Sequence, residues 1–258
     1  MKLYLHYLSI HVQSAMEYKT SFILTALGQF LVSFNVFLGV FFMMERFNNV
    51  KGFTYSEILM CFSTVLISFS LAECFFRGFD MFPSMIGNGE FDRILVRPRN
   101  TVFQVLASKI ELTRIGRLFQ AFIMLGYGIV KSGIKWDFMR GLTLVLMIAG
   151  GITVFAGLFI IFAGLCFFTL EGLEVMNIFT DGAREYGKYP VSVYGKTVLT
   201  ICSYIVPFAL FQYYPFLYLI GRDVPVWYCA LPVLTVLFLI PSCLIWRLGM
   251  KKYQSTGS

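Results

Sequence analysis

Six stretches of the chain carry no Asp, Glu, Lys or Arg, and they set its plan. Residues 20–44, 141–170, 197–221 and 224–246 run for 25, 30, 25 and 23 positions. Residues 58–72 run for 15, bounded by Glu57 and Glu73 and continued in apolar character by Cys74, Phe75 and Phe76. Residues 118–130 run for 13, extended backwards by Ile115 and Gly116. A helix that crosses the hydrocarbon needs about 20 apolar residues, with a range of roughly 17–25. Four runs meet this outright, and the second and third meet it if a flanking charge snorkels to the interface. The pattern predicts six transmembrane helices. The first run is too long for a signal-peptide core and no small-residue cleavage site follows it, so it is expected to stay as a membrane helix.

Two further patterns refine this plan. In the first 19 residues Leu5, Leu8, Val12 and Met16 form one stripe, and Lys2, His6, Ser9, Gln13 and Glu17 another. That spacing suits an interface helix over 1–19, lying on the membrane surface and leading into the first span. A plain surface helix without that duty is the alternative. In the fourth run Ala149, Ala156 and Ala163 recur every seven residues, with Gly150, Gly157 and Gly164 beside them. Small residues every second turn make a smooth stripe that another helix can approach closely.

Composition agrees with the runs. Apolar residues make up 58% of the 258 and charged residues 14%, and the mean hydropathy is +0.74. A soluble domain has roughly 45–50% and 25%. Too few polar residues remain to cover a soluble surface, which excludes a soluble enzyme, a disordered chain and a secreted disulfide scaffold. The net charge of +7 lies between the apolar runs, as the positive-inside bias demands, and does not call for nucleic acid. Six spans put both termini on one side. The segments on that side are 1–19, 73–117, 171–196 and the tail 247–258, and they hold fifteen Lys and Arg against six on the other. The termini and the 73–117 loop are therefore expected in the cytoplasm. The sequence thus describes an all-α integral membrane protein of one domain, residues 1–258.

The chemistry is mostly one of absences. No run contains Asp, Glu, Lys, Arg or His, so the chain is not expected to carry a proton relay or ion path of its own. The six cysteines lack metal-ligand spacing and read as small apolar fillers. His6 and His11 do not share a helix face, so no metal is expected. Gly195-Lys196-Thr197 copies the end of a phosphate loop, but Pro190 stands where its first glycine belongs. Gly87-Asn88-Gly89 opens a dinucleotide fingerprint that Asp92 breaks. Glu171, Glu174, Asp181 and Glu185 read as a solvated loop, since no nucleophile accompanies them. The polar residues inside the runs, Gln29, Asn35, Ser63, Ser68, Ser70, Gln212 and Tyr213, suit a path lining or ordinary interhelical hydrogen bonds.

The 73–117 loop is the informative segment. Between the glycines at 87 and 89 and Pro98, Glu90, Arg93 and Arg97 are spaced i, i+3, i+7, and Phe91, Ile94 and Leu95 form an apolar group. A short helix with a charged and an apolar face, projecting from a membrane protein, suits docking of a soluble partner. A solvated turn between spans is the alternative.

Residues 89–98 (GEFDRILVRP) resemble the cytoplasmic segment of bacterial type-2 ABC exporter permeases, in the branch called ABC-2 family transporter proteins. Residues 177–196 (NIFTDGAREYGKYPVSVYGK), 207–221 (PFALFQYYPFLYLIG) and 253–258 (YQSTGS) resemble the same branch. The resemblance implies a six-helix permease subunit in the inner (plasma) membrane, pairing with a second permease, identical or related. It implies cytoplasmic ABC ATPase subunits that hold ATP and Mg, while this chain binds no cofactor. A short cytoplasmic coupling helix would lie in the loop after the second span and use Glu90, Phe91, Asp92, Arg93, Ile94 and Arg97. Residues 207–221 would form a broken, partly re-entrant end between the last two spans, for which Pro207 and Pro215 give a physical basis. Two other classes stay open on sequence: a membrane-embedded lipid-modifying enzyme and a non-transporting scaffold.

Overall fold

The computed structural model describes residues 2–47, 49–169 and 178–253. Every regular element among them is helical, and an isolated bridge between Val50 and Phe53 closes the turn after the first span. Glu171, Glu174 and residues 254–258 lie outside the described residues.

Helices α1, Lys2–Glu17, and α2, Lys19–Phe47, meet at Tyr18. Tyr4 packs edge-on against Phe103, and His11 Nε2 lies 3.2 Å from the Ala107 carbonyl oxygen, so one face of α1 rests on the body. Leu5, Val12 and Met16 stay exposed beside that face, and His6, Ser9, Gln13 and Glu17 form an exposed polar third.

Helix α3, Tyr55–Asp80, is the centre of the bundle and is buried along most of its length. A capping box starts it: the Thr54 hydroxyl accepts from the Glu57 amide, and the Glu57 carboxylate accepts from the Thr54 amide at 2.8 Å. The charge pattern ends this span at Glu73. The helix instead runs on to Asp80 and continues through α4, Phe82–Gly87, as one apolar element of 33 residues. Two short helices follow, α5, Glu90–Leu95, and α6, Thr101–Ser108. Helix α7, Ile115–Lys131, then returns along α3, where Gly128 admits Met60; an added Cβ there would lie 2.6 Å from Met60 Cγ.

Helix α8, Phe138–Leu165, begins on an Asp137 cap and runs the length of the bundle. Between it and the last span lie α9, Asp181–Tyr186, α10, Lys196–Tyr204, α11, Phe208–Gln212, and α12, Tyr214–Leu219. The last span, Val226–Lys252, starts as short α and 3-10 turns, α13 being Leu231–Leu234, and ends as the regular helix α14, Leu239–Lys252. It lies parallel to α8 along the glycine stripe. A Cβ at Gly150 would lie 2.9 Å from Pro232 Cβ, one at Gly157 2.7 Å from Phe238 Cδ1, and one at Gly164 3.0 Å from Ile245 Cγ2. Ala156 and Ala163 are buried and Ala149 is exposed. Gly157→Leu is therefore expected to push the last span away and cost about 1–3 kcal/mol by overpacking. Thermal unfolding of the purified protein measures it, and unchanged melting would remove the close approach from the account.

The contacts define two ends. The near end holds α4 to α6, the start of α7 and the C-termini of α8 and α14. The far end holds the turn after α2, the start of α3 and the end of α7. Residues 178–193 run lengthwise between them. Arg184 lies over the Phe69 ring, Gly187 abuts Val65, the Tyr189 hydroxyl donates to Met43 Sδ, and the Val193 carbonyl accepts from Lys51 Nζ at 2.9 Å. The sequence places 171–196 as a loop on the side of the termini; its described part does not stay there, because α3 offers it a buried track.

The run 197–221, predicted as one span, is bent by 94° between α10 and the α11–α12 pair. Both of its ends lie at the far end. Lys51 bonds Val193 just before it, and Arg222 Nη2 donates to the Gly52 carbonyl at 2.6 Å just after it. The hairpin therefore dips into the bundle from the far end and returns, as the resemblance implies for part of it. Four helices among the described residues are long and apolar enough to cross a membrane, with this bent pair as a fifth candidate. Helix α7, at 17 residues, stands at the lower edge of the crossing range.

Candidate functional site

The near end presents a rigid face built from α4, α5 and α6. Gly89 separates α4 from α5 with φ of +69°, a left-handed conformation that favours glycine. On α5, Phe91 and Ile94 are one turn apart and both turn inward. Phe91 is fully buried among aromatic rings: Phe82 at 5.0 Å, Phe167 at 5.4 Å, Trp246 at 6.3 Å and Tyr253 at 5.0 Å between centroids. Edge-on packing of this kind adds about 0.5–1.5 kcal/mol per pair to the burial itself.

Polar bonds fix both sides of the helix. The Tyr253 hydroxyl donates to Asp92 Oδ1 at 2.9 Å. Burial, and then the bonded carboxylate, raise the Tyr253 phenol above its ordinary value, which keeps it a donor. Gln104 Nε2 donates to the carbonyls of Ile94 at 3.2 Å and Arg99 at 3.0 Å. Asn100 caps α6, and the Thr101 hydroxyl lies 3.2 Å from Met250 Sδ. The segment is thus tied to the end of the last span at three places.

These contacts divide the six residues singled out in the sequence. Glu90, Arg93 and Arg97 are exposed, Asp92 is half-buried on Tyr253, and Phe91 and Ile94 are buried in their own chain. Two of the three apolar residues offered to a partner by the sequence, Phe91 and Ile94, therefore anchor the helix in its own chain. Leu95, the third member of that apolar group, is exposed, and so is Val96, which the sequence reading did not single out and which is 83% exposed. Beside them a groove of about 210 Å3 opens between α5 and α1, with Tyr7, Glu90, Arg93 and Arg97 in its walls.

Behind the face lies a buried charge cluster. Glu73 on α3 accepts from Arg117 Nη1 at 2.7 Å and pairs with Arg114 Nη2 at 2.5 Å. Arg117 Nη2 also donates to Gln29 Oε1 of α2 at 2.7 Å, and Arg77 pairs with Asp80. The cluster joins α2, α3 and α7. Arg117 and Arg184 both lie 5.5 Å from the Phe69 ring centroid.

Several of the polar residues considered for a path have structural work inside the chain. Ser63 bonds the Met60 carbonyl, and Ser68 bonds those of Thr64 and Ile148. Gln212, fully buried, accepts from the Val191 amide at 3.1 Å and donates to the carbonyls of Gly187 at 3.3 Å and Tyr189 at 2.8 Å. Tyr213 is half-buried, and Ser70 Oγ is buried without a partner among the described residues. Asn35 faces outward from α2. Lys196 is exposed at the far end, opposite the face built from α4, α5 and α6.

No curated protein and no solved structure matches the chain. The family profile of the ABC-2 family transporter protein matches residues 30–257. That span takes in every element from the middle of α2 to the last span, including the whole near-end face. With several apolar helices and this match over nearly its whole length, the chain is a multi-pass membrane protein that belongs to the ABC-2 family of transporters.

Proposed function

We propose that the chain is the transmembrane permease subunit of an ATP-driven ABC exporter in the inner membrane, with both termini cytoplasmic. It takes its energy from separate ATPase subunits that hold ATP and Mg. It forms the path with a second permease, identical or related. The observation that carries this reading is the near-end face, a short charged helix exposed on one side and locked on the other to the last span. A subunit driven by another must receive motion through a stiff contact, and this is the stiff projecting element of the family-matched region. The outward-facing Asn35 supports a path shared between two subunits, since the other polar residues of the spans are largely committed within the chain.

The same reading makes six crossings, the fifth supplied by residues 178–193. Lys196 then lies outside the cell, and the basic excess at the near end persists without it. After native thiols are blocked, Lys196→Cys is expected to react with a membrane-impermeant maleimide added to intact cells, and Asn88→Cys is not. The reverse pattern would invert the topology.

Docking is tested on the exposed residues. Arg93→Glu combined with Arg97→Glu is expected to weaken co-purification of the cognate ATPase by about tenfold or more and to abolish ATP-dependent transport. Melting of the isolated subunit should not change, because both side chains are exposed. Normal co-purification with intact transport would place the coupling contact elsewhere. Phe91→Ala is not a clean probe, since emptying that buried site costs about 3–5 kcal/mol by itself.

A further inference from the structure

An open groove of about 400 Å3 lies between the end of α1, the start of α2 and residues 108–113. It sits where two spans begin, since Lys19 opens α2 and Ile115 opens α7. On the six-crossing topology proposed above, on which this inference rests, that is the depth of phospholipid headgroups at the near-end surface. Two serine hydroxyls, Ser14 and Ser21, and the Lys109 ammonium line the groove, and none has a hydrogen-bond or ionic partner among the described residues. Glu111 stands on the same wall. One of its oxygens accepts from the Thr113 hydroxyl at 2.6 Å, and the carboxylate forms no ion pair with Lys109, two residues away. The groove thus holds a free cation with two hydroxyl donors, and a separate anion. Beside it α2 exposes Ile23, Leu24 and Leu27.

We propose that this groove binds the headgroup of a zwitterionic phospholipid of the phosphoethanolamine type. The phosphate meets Lys109, Ser14 and Ser21, where a charge-assisted contact is stronger than a neutral one. The ammonium meets Glu111. The acyl chains run along the exposed apolar side of α2. A basic residue in a pocket between the starts of spans is suited to a lipid phosphate, and the nearby carboxylate sets the preference for a headgroup that also carries a positive charge. The α1 wall and the first turns of α2 precede residue 30, while Lys109 and Glu111 lie within the family match.

The test uses the full-length protein in mild detergent and native mass spectrometry. The probes are dioleoyl phosphatidylethanolamine, dioleoyl phosphatidylglycerol, dioleoylglycerol and the soluble glycerophosphoethanolamine. One retained phosphatidylethanolamine is expected, in preference to the other three. Lys109→Ala should lower its retention roughly fivefold, Lys109→Arg should preserve it, and Glu111→Gln should remove the preference over phosphatidylglycerol. Equal retention of the three lipids by the wild type and both charge-removing variants would mean bulk lipid only and would overturn the proposal. Glycerophosphoethanolamine bound as tightly as the lipid would overturn it too, in favour of a soluble phosphate ester. A drop in melting with Lys109→Ala that Lys109→Arg does not correct would assign Lys109 to the fold and also defeat it.

Discussion

Glu73→Ala is expected to lower the stability of the purified protein by about 3–5 kcal/mol, the largest loss from any single charge in the chain. Glu73 is 5% exposed and so is Arg117, and Arg114 pairs with the same carboxylate. Removing the acid takes the shared counter-ion from Arg114 and Arg117, and from Arg77, whose Nη1 lies 3.6 Å from the same carboxylate. Removing Arg117 as well, in Glu73→Ala with Arg117→Met, takes away the most buried of the stranded charges. The double variant should therefore be more stable than the sum of the two single losses, a coupling that a double-mutant cycle measures directly. Additive losses in thermal or denaturant unfolding would show that the two side chains do not share one buried site.

Gln212→Leu is the second large loss. The side chain fills the same space, so the effect is polar rather than volumetric. It strands the Val191 amide and the carbonyls of Gly187 and Tyr189. An unsatisfied buried backbone group costs about 1–3 kcal/mol, and water cannot compensate at membrane depth. The combined loss should be about 3–5 kcal/mol, with raised maleimide reactivity at Tyr189→Cys in the same background. A variant that melts as the wild type does and keeps Tyr189→Cys protected would mean that another group holds this backbone.

Much of this was legible in the sequence, and the failures have particular causes. The apolar runs located α2, α8 and the last span because lipid-facing and core-facing positions are both apolar there. The Gly150, Gly157 and Gly164 stripe announced a close helix, though its identity as the last span is a tertiary fact. The helix at α5 was legible from Gly89 and Pro98. Which way Phe91 points was not, since an apolar side chain one turn from another serves a partner or its own core equally well. Counting charges misplaced the end of α3, because Glu73 is neutralised by arginines forty residues later in the chain. It also placed 171–196 wholly as a loop beside the termini, whereas residues 178–193 reach the far end along α3. That segment has short helices and several charges, and the Gln212 amide, the flank of α3 and ion pairs among Asp181, Arg184, Glu185 and Lys188 hold it in its passage along the bundle.

On the topology proposed above, that passage constrains the order in which the protein can be made. A segment holding Asp181, Arg184, Glu185 and Lys188 is a poor client for one-by-one helix insertion, since a charged residue near the helix centre costs roughly 2.5–3.5 kcal/mol on the insertion scale. Its backbone is also incompletely bonded until Gln212 has been synthesised, about two dozen residues later. Residues 178–193 must therefore wait at the surface while the hairpin that follows emerges, and enter together with it beside an α3 already in place. On that topology biogenesis is not strictly sequential: the fifth crossing is assembled as a unit with sequence that comes after it.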